Sequence, residues 1–262
     1  MRLWQKNLRL DAMSLRELWA AYLCHATVQV YIVLTAISAA LCSFYATTLL
    51  PLIICAVLAA VIYPLVWYLL HRFVLHGRFL YRFPYTASLW KRIHFDHHRD
   101  PHDLDVLFGA LPTTLPTIAL ATMPIGYLVD GLAGLFACFT TGLAITLFYE
   151  FCHCIQHLKV TPKWKWVQRI KKYHLQHHFY DERNNFGITN YLCDRFFGTF
   201  RPKPSANERS DTVFNLGYTR EQVRLYPWVA QRSEDIDINE AIAVGIDKRK
   251  RNTDFASEAL SQ

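Results

Sequence analysis

The chain contains 12 histidines. All but His25 and His102 fall into four spaced groups: His71 with His76, His94 with His97 and His98, His153 with His157, and His174 with His177 and His178. Neutral imidazole is a good ligand for first-row metals such as iron and zinc. On a helix, residues three and four apart share a face. The spacing therefore lets each of the last three groups direct its rings into one site. His71 and His76 are five apart, about 140° around an α-helix, so they flank a site only if the helix ends or bends between them. A lone histidine on an apolar face is ordinarily a packed core residue. Four such groups together exceed what one ion takes, and two ions with about five nitrogen ligands each account for all of them.

Several neighbours are candidates for supporting roles. His102, in Asp100-Pro101-His102-Asp103, is a further ligand or a partner of one. Glu150 and Asp181 are candidates to hydrogen-bond ligand histidines, as carboxylates commonly do. Glu150 is the stronger case, because it ends an apolar stretch where an unpaired carboxylate is costly. Cys152 and Cys154 flank His153, and we read them as packing residues. The seven cysteines are scattered with no C-x-x-C, which suits reduced thiols used as small hydrophobes. The segment Asn184-Asn185-Phe186-Gly187 reads as a turn, with Gly187 free to take positive φ.

The elements that must carry these groups are apolar. Residues 26–70 contain no Asp, Glu, Lys or Arg, and residues 106–149 contain one, Asp130. A spanning helix needs about 20 apolar residues, so each block is two spans long. With hydrophobic residues at 52% and charged residues at 19%, this excludes an ordinary soluble globule, a disordered chain and a small disulfide-stapled protein. The expected fold is an all-α membrane protein of about four transmembrane helices, near 26–46, 50–70, 106–126 and 131–150. Pro112, Pro116 and Pro124 predict a kinked or re-entrant third span, and Gly126, Asp130 and Gly131 mark the next turn. The first span serves as an uncleaved anchor, because no signal-peptide cleavage pattern precedes it.

Charge sets the orientation. The turns after the first and third spans carry no Lys or Arg, while the 71–105 loop carries Arg72, Arg78, Arg82, Lys91, Arg92 and Arg99. By the positive-inside rule, both termini and the histidine groups lie on the cytoplasmic side. The histidines then form a cytoplasmic helical cap holding the metal site, in a bacterial inner membrane or the endoplasmic reticulum. We divide the chain into an amphipathic arm (1–25), a membrane catalytic domain (26–204) and a polar tail (205–262). In the arm, Leu15, Leu18, Trp19 and Tyr22 share a helical face that suits an interfacial helix. Trp164 and Trp166, interleaved with lysines, suit the membrane interface. Arg72, Lys171 and Lys172 follow the positive-inside bias. The net charge of +7, including Lys248-Arg249-Lys250-Arg251, reads as cytoplasmic loops and lipid headgroups, not nucleic-acid binding.

The four histidine groups resemble the fatty acid hydroxylase superfamily of membrane-bound, non-haem di-metal oxygenases, which includes sterol desaturases and sterol methyl oxidases. The superfamily pattern of H-x(3–4)-H followed by two H-x(2–3)-H-H motifs stands at 71/76, 94/97/98 and 174/177/178. The pair His153/His157, the opening His71-Arg72-Phe73 and the stretch Asn185-Phe186-Gly187-Ile188-Thr189 are most similar to the fatty acid 2-hydroxylase branch. The resemblance implies a di-metal centre, iron or else zinc. It also implies O₂ as oxidant and a long acyl chain, often within a sphingolipid, as substrate. No haem-type His-Pro-Gly-Gly motif is present, so the expected electron source is a separate protein such as cytochrome b5 or a ferredoxin with its reductase.

Other classes fit less well. Transport predicts ionisable ligands at mid-membrane depth, whereas these histidines fall at or beyond the ends of the apolar blocks. A membrane zinc protease needs H-E-x-x-H, which is missing. Within the enzyme class, a lipid or sterol desaturase or methyl oxidase is the alternative, since hydroxylation and desaturation both begin with hydrogen abstraction.

Overall fold

The structure is a computed structural model and describes residues 8–160, 162–203 and 209–233. Among them, no strand forms beyond one isolated bridge between Arg9 and Asp103. Three helical stretches are long and apolar enough to cross a membrane: Ala26–Tyr45, Leu49–Leu75 and Leu104–His157. The chain is an all-α membrane protein. The described residues divide into two compact units, the first built from 16–69 and 108–152, the second from the described residues of 8–15, 70–107 and 153–233.

The first unit holds most of the apolar helices. Helix α1 (Leu15–Cys24) buries Leu18, Ala21 and Tyr22, and the Trp19 and Phe151 ring centroids lie 3.9 Å apart. Helix α2 (Ala26–Tyr45) is capped by His25, whose Nδ1 accepts from Thr27 N–H at 3.3 Å. Helix α3 (Leu49–Leu69) follows, and later comes a long helical stretch, α6 (Leu111–Gln156). This stretch leaves helical geometry at Asp130 (φ −151°, ψ 42°) and Gly131 (φ 52°, ψ −135°). Its two arms, 111–129 and 132–156, fold back on each other. A Cβ on Gly126 would lie 2.1 Å from Gly134 O, and one on Gly142 would lie 2.9 Å from Thr122 Cγ2. Gly126, expected at the turn, therefore sits within a helix and permits close backbone approach. The helix runs unbroken through Pro116 and Pro124, and its only non-helical residues are Asp130 and Gly131.

Packing in this unit is apolar with a few buried hydroxyls. Tyr31, Tyr63, Ile118 and Leu143 form one core cluster. Cys55, Ala59, Ala137 and Cys138 form another. Tyr31 hydroxyl bonds Thr114, and Tyr63 hydroxyl bonds Thr146. These contacts satisfy polar groups where water is scarce. Many large side chains point outward, including Val33, Phe44, Leu50, Val61, Leu120 and Leu128. A soluble monomer rarely leaves so much apolar surface exposed, whereas a lipid-facing surface requires it.

The second unit is made of short elements. Continuing from α3, Leu70–Leu75 is a π-helix. Helix α4 (Pro84–Trp90) leads into a second π-helix, Lys91–Phe95, and then α5 (Asp96–Arg99). Helix α7 (Lys165–Phe179), α8 (Leu192–Phe196) and α9 (Arg220–Leu225) complete it. Its core joins Tyr81, Ala87, Trp90 and Phe95 to Leu216, Tyr218, Val223, Val229 and Ala230. Residues 209–233 thus pack against the 81–95 segment, so this part of the polar tail is built into the unit. The Lys248–Arg251 run lies outside the described residues.

Candidate metal centre

All ten motif histidines belong to the second unit. Two π-turns and three α-helices, α5, the end of α6 and α7, position them. At Leu70–Leu75, His76 N–H donates to His71 O at 3.1 Å. The wider i→i+5 turn stacks residues five apart, so His71 Nε2 and His76 Nε2 lie 3.2 Å apart. The bend required by the spacing is this π-turn. The second π-turn stacks Lys91 over Asp96, with Nζ 2.7 Å from Oδ2, and leads His94 toward His76, Nε2 to Nε2 2.8 Å. Trp90 Nε1 ties the two turns by donating to Leu75 O at 2.7 Å.

The histidines sort into two groups. One brings together His97, His153, His157, His174 and His178; the other brings together His71, His76, His98 and His177. Within each, one ligand atom per residue lies within 4.8 Å of all the others. His94 adjoins the second group through His76. Both H-x-x-H-H motifs are therefore divided. His97 and His98 face different groups, as do His177 and His178, whereas helical spacing had each trio sharing one site. The groups meet where the His98 and His178 rings stack at 4.1 Å.

Burial keeps these rings in the form that can ligate a metal. His97, His98, His157, His174, His177 and His178 are all 3% exposed or less. Burial first, and neighbouring imidazoles second, hold His76, His94, His97, His98, His174 and His178 well below the usual histidine pKa. His177 falls to about 4, mainly by burial. The neutral form is the ligating form. Both nitrogens of His97, Nε2 of His98 and His177, and Nδ1 of His157, His174 and His178 have no hydrogen-bond partner among the described residues. Buried polar atoms are nearly always satisfied, so so many orphaned nitrogens aimed at two points fit two metal ions.

Backbone carbonyls fix the ring orientation. His71 Nδ1 lies 2.7 Å from Phe186 O, His177 Nδ1 2.7 Å from Asn184 O, and His98 Nδ1 3.2 Å from Val213 O. An Nδ1–H bonded to a carbonyl leaves Nε2 as the ligand atom. His102 Nδ1 lies 3.1 Å from His157 O, and His102 belongs to neither group. Asp181 accepts from Asn184 Nδ2 at 2.5 Å and from Arg183 Nε at 2.7 Å, beneath the carbonyl that His177 uses. Glu150, 4% exposed, accepts from Gly109 N–H at 3.3 Å within the first unit. Cys152 and Cys154 are buried and lie outside both groups.

Three features were hidden in the sequence. Lys171 is buried and bonds the carbonyls of Leu158 and Val160, with burial pulling its pKa down to about 8. It is a core residue, not a surface charge. In the turn, positive φ belongs to Asn185 (56°) and not to Gly187. Asn185 tolerates it because its side chain bonds Arg201 N–H and O, both at 2.9 Å. Gly187 is needed for space, since a Cβ there would lie 2.0 Å from Asn190 O. Asp194 is fully buried and accepts from Phe186 N–H, Gly187 N–H and Thr199 Oγ1 at 2.8, 2.9 and 2.8 Å. Beside Arg195, it reads in the sequence as an ordinary paired surface acid.

Comparison with known proteins agrees with this centre. The chain is 30% identical over 148 residues to the fatty acid 2-hydroxylase of Rattus norvegicus, covering 56% of this chain and 39% of that protein. It is 33% identical over 147 residues to the ceramide very long chain fatty acid hydroxylase SCS7 of Saccharomyces cerevisiae, covering 53% and 36%. It is 33% identical over 138 residues to the dihydroceramide fatty acyl 2-hydroxylase FAH1 of Arabidopsis thaliana, covering 50% and 54%. The match thus spans about two fifths to half the length of these relatives. Among solved structures, the visible hydroxylase domain of full-length scs7p superposes with a TM-score of 0.53 at 25% identity, covering 76% of this chain and 71% of that one. A model of the fatty acid hydroxylase family matches residues 56–199, more than half of the chain and all ten of the motif histidines, and the chain belongs to that family.

Proposed function

We propose that this protein hydroxylates the acyl chain of a membrane lipid, a fatty acid or a sphingolipid, at the 2-position, using two histidine-held iron ions in lipid biosynthesis. The carrying observation is the pair of adjoining groups of buried neutral imidazoles. Matched relatives named for fatty acid and dihydroceramide 2-hydroxylation support the substrate class. His97, His153, His157, His174 and His178 would hold one ion. His71, His76, His98 and His177, with His94 beside them, would hold the other. When bound, the irons supply O₂-dependent oxidation, in which one oxygen atom enters a C–H bond and the other leaves as water with two electrons and two protons. A separate protein such as cytochrome b5 or a ferredoxin with its reductase provides the electrons.

The chain's own residues prepare this chemistry. Burial keeps the imidazoles unprotonated. Asn184 O and Phe186 O hold the protons of His177 and His71 on Nδ1, so that Nε2 remains a lone-pair donor. Four apolar arms place the protein in the bilayer where acyl chains reside. The basic flanks put the histidine segments on the cytoplasmic side, within reach of a soluble donor.

The test compares whole-lipid masses from cells making wild type or His97→Ala, each with a cytochrome b5 and its reductase co-expressed. The expected result is a gain of one oxygen on an acyl chain in wild type alone, located at the 2-position by fragmentation. A loss of two hydrogens, or no wild-type-specific change, overturns hydroxylation.

A further inference from the structure

The two histidine groups are supported differently. In the group of His71, His76, His98 and His177, two rings rest on one short loop. His71 Nδ1 is bonded to Phe186 O and His177 Nδ1 to Asn184 O, each at 2.7 Å. The Phe186 ring also stands edge-on to His71, His76 and His177, with centroids 5.6, 5.2 and 5.5 Å away. The conformation of residues 184–187 therefore fixes the tautomer and the direction of both rings.

That conformation is not set by regular secondary structure. Asn185 is left-handed, and Gly187 is pressed against Asn190 O. Asp194 compensates. Its Oδ1 accepts from Phe186 N–H and Thr199 Oγ1, and its Oδ2 accepts from Gly187 N–H. Thr199 N–H in turn donates to Asp194 O at 2.8 Å, and Asn185 N–H to Thr199 O at 3.0 Å. Three donors converge on two oxygens, an arrangement that an acceptor-only carboxylate satisfies and a neutral amide does not. The other group draws on different contacts: His157 Nε2 lies 2.9 Å from His174 Nε2, and His157 O is bonded to His102.

We infer that Asp194 is a positioning residue for one metal only, holding the loop that aims His71 and His177 and thereby setting the affinity of the His71/His76/His98/His177 group. The inference rests on the reading of both groups as metal sites. Loss of a residue that orients ligands lowers metal affinity by roughly 10- to 100-fold, and here the loss falls on one ion of the pair.

The test is metal content of the full chain purified in detergent, by inductively coupled plasma mass spectrometry, with a graded chelator. Wild type is expected to hold two ions per chain. Asp194→Asn, which keeps the size but turns one acceptor into a donor, is expected to hold one ion after a chelator wash that leaves wild type loaded. Adding His71→Ala to Asp194→Asn should remove no more metal, while adding His157→Ala should remove the remaining ion. Asp194→Asn retaining both ions through the wash, or losing both equally, overturns the inference. Thr199→Val removes one of the three donors and serves if Asp194→Asn loses its helical circular dichroism. It should release the same ion at a lower chelator concentration than wild type, and unchanged release overturns the inference. A wild type that binds no metal overturns the metal reading and this inference with it.

Discussion

His71 and His76 face one another across a single π-turn, Nε2 to Nε2 3.2 Å, with the His76 N–H bonded to His71 O. In an α-helix the same two rings would stand about 140° apart. The extra residue in the turn brings them together. Deleting Phe73 leaves the two histidines four apart, a spacing that shares a face in an ordinary α-helix. Inserting an alanine after Phe73 makes them six apart, which neither turn tolerates. The deletion is expected to retain more metal in this group than the insertion, measured as ions per purified chain. Equal losses would show that the π-turn does not position the pair.

The division of each His-His dipeptide predicts a division of metal loss. His97→Ala removes a ligand from one group and His177→Ala from the other. Each variant is expected to hold one ion per chain and the double variant none, while all three still insert in the membrane. Under the proposed function both single variants should lose acyl-chain hydroxylation, because that reading has two ions share the two-electron chemistry. A single variant that loses both ions would show that the two groups are one indivisible site.

Acid should destabilise the metal-free protein. His177 has a folded pKa of about 4, below the unfolded value of about 6.5. As pH falls below about 6.5 the unfolded chain binds a proton that the folded chain refuses, so stability drops until the folded pKa is reached. Each such histidine contributes a slope of about 1.4 kcal/mol per pH unit in that window. His97, His98, His174 and His178 shift in the same direction. Thermal melting of the chelated protein should fall steeply from pH 6.5 toward 4. A flat profile would contradict burial of neutral imidazoles.

Close backbone approach at Gly126 and Gly134 holds the hairpin of α6 together. A Cβ at either position meets a backbone carbonyl oxygen at 2.1–2.2 Å, and backbone cannot step aside as a flexible side chain does. Gly126→Val is expected to destabilise the protein by about 1–3 kcal/mol, read as a lower melting temperature in detergent. Substitution of Gly198, where nothing lies within 4 Å of an added Cβ, meets only the cost of its positive φ and should lower it less.

Residue chemistry and local pattern determined much of this protein. The apolar blocks at 26–70 and 106–149 announced the membrane helices, because length and hydrophobicity alone decide whether a helix suits a bilayer. The four histidine groups announced a candidate metal centre, because ligand type and helical spacing are both local properties. The tertiary structure decided which ring faces which partner. His97 and His98 are adjacent in sequence yet serve different groups, since neighbouring helical residues point about 100° apart and only packing says what lies in each direction. The π-turn at His71, the close approach at Gly126, the burial of Lys171 and the hold of Asp194 on the 184–187 loop likewise left no periodic trace. Each rests on contacts between residues about 5 to 13 apart, where a carbonyl or a carboxylate finds its donor only after the chain has folded.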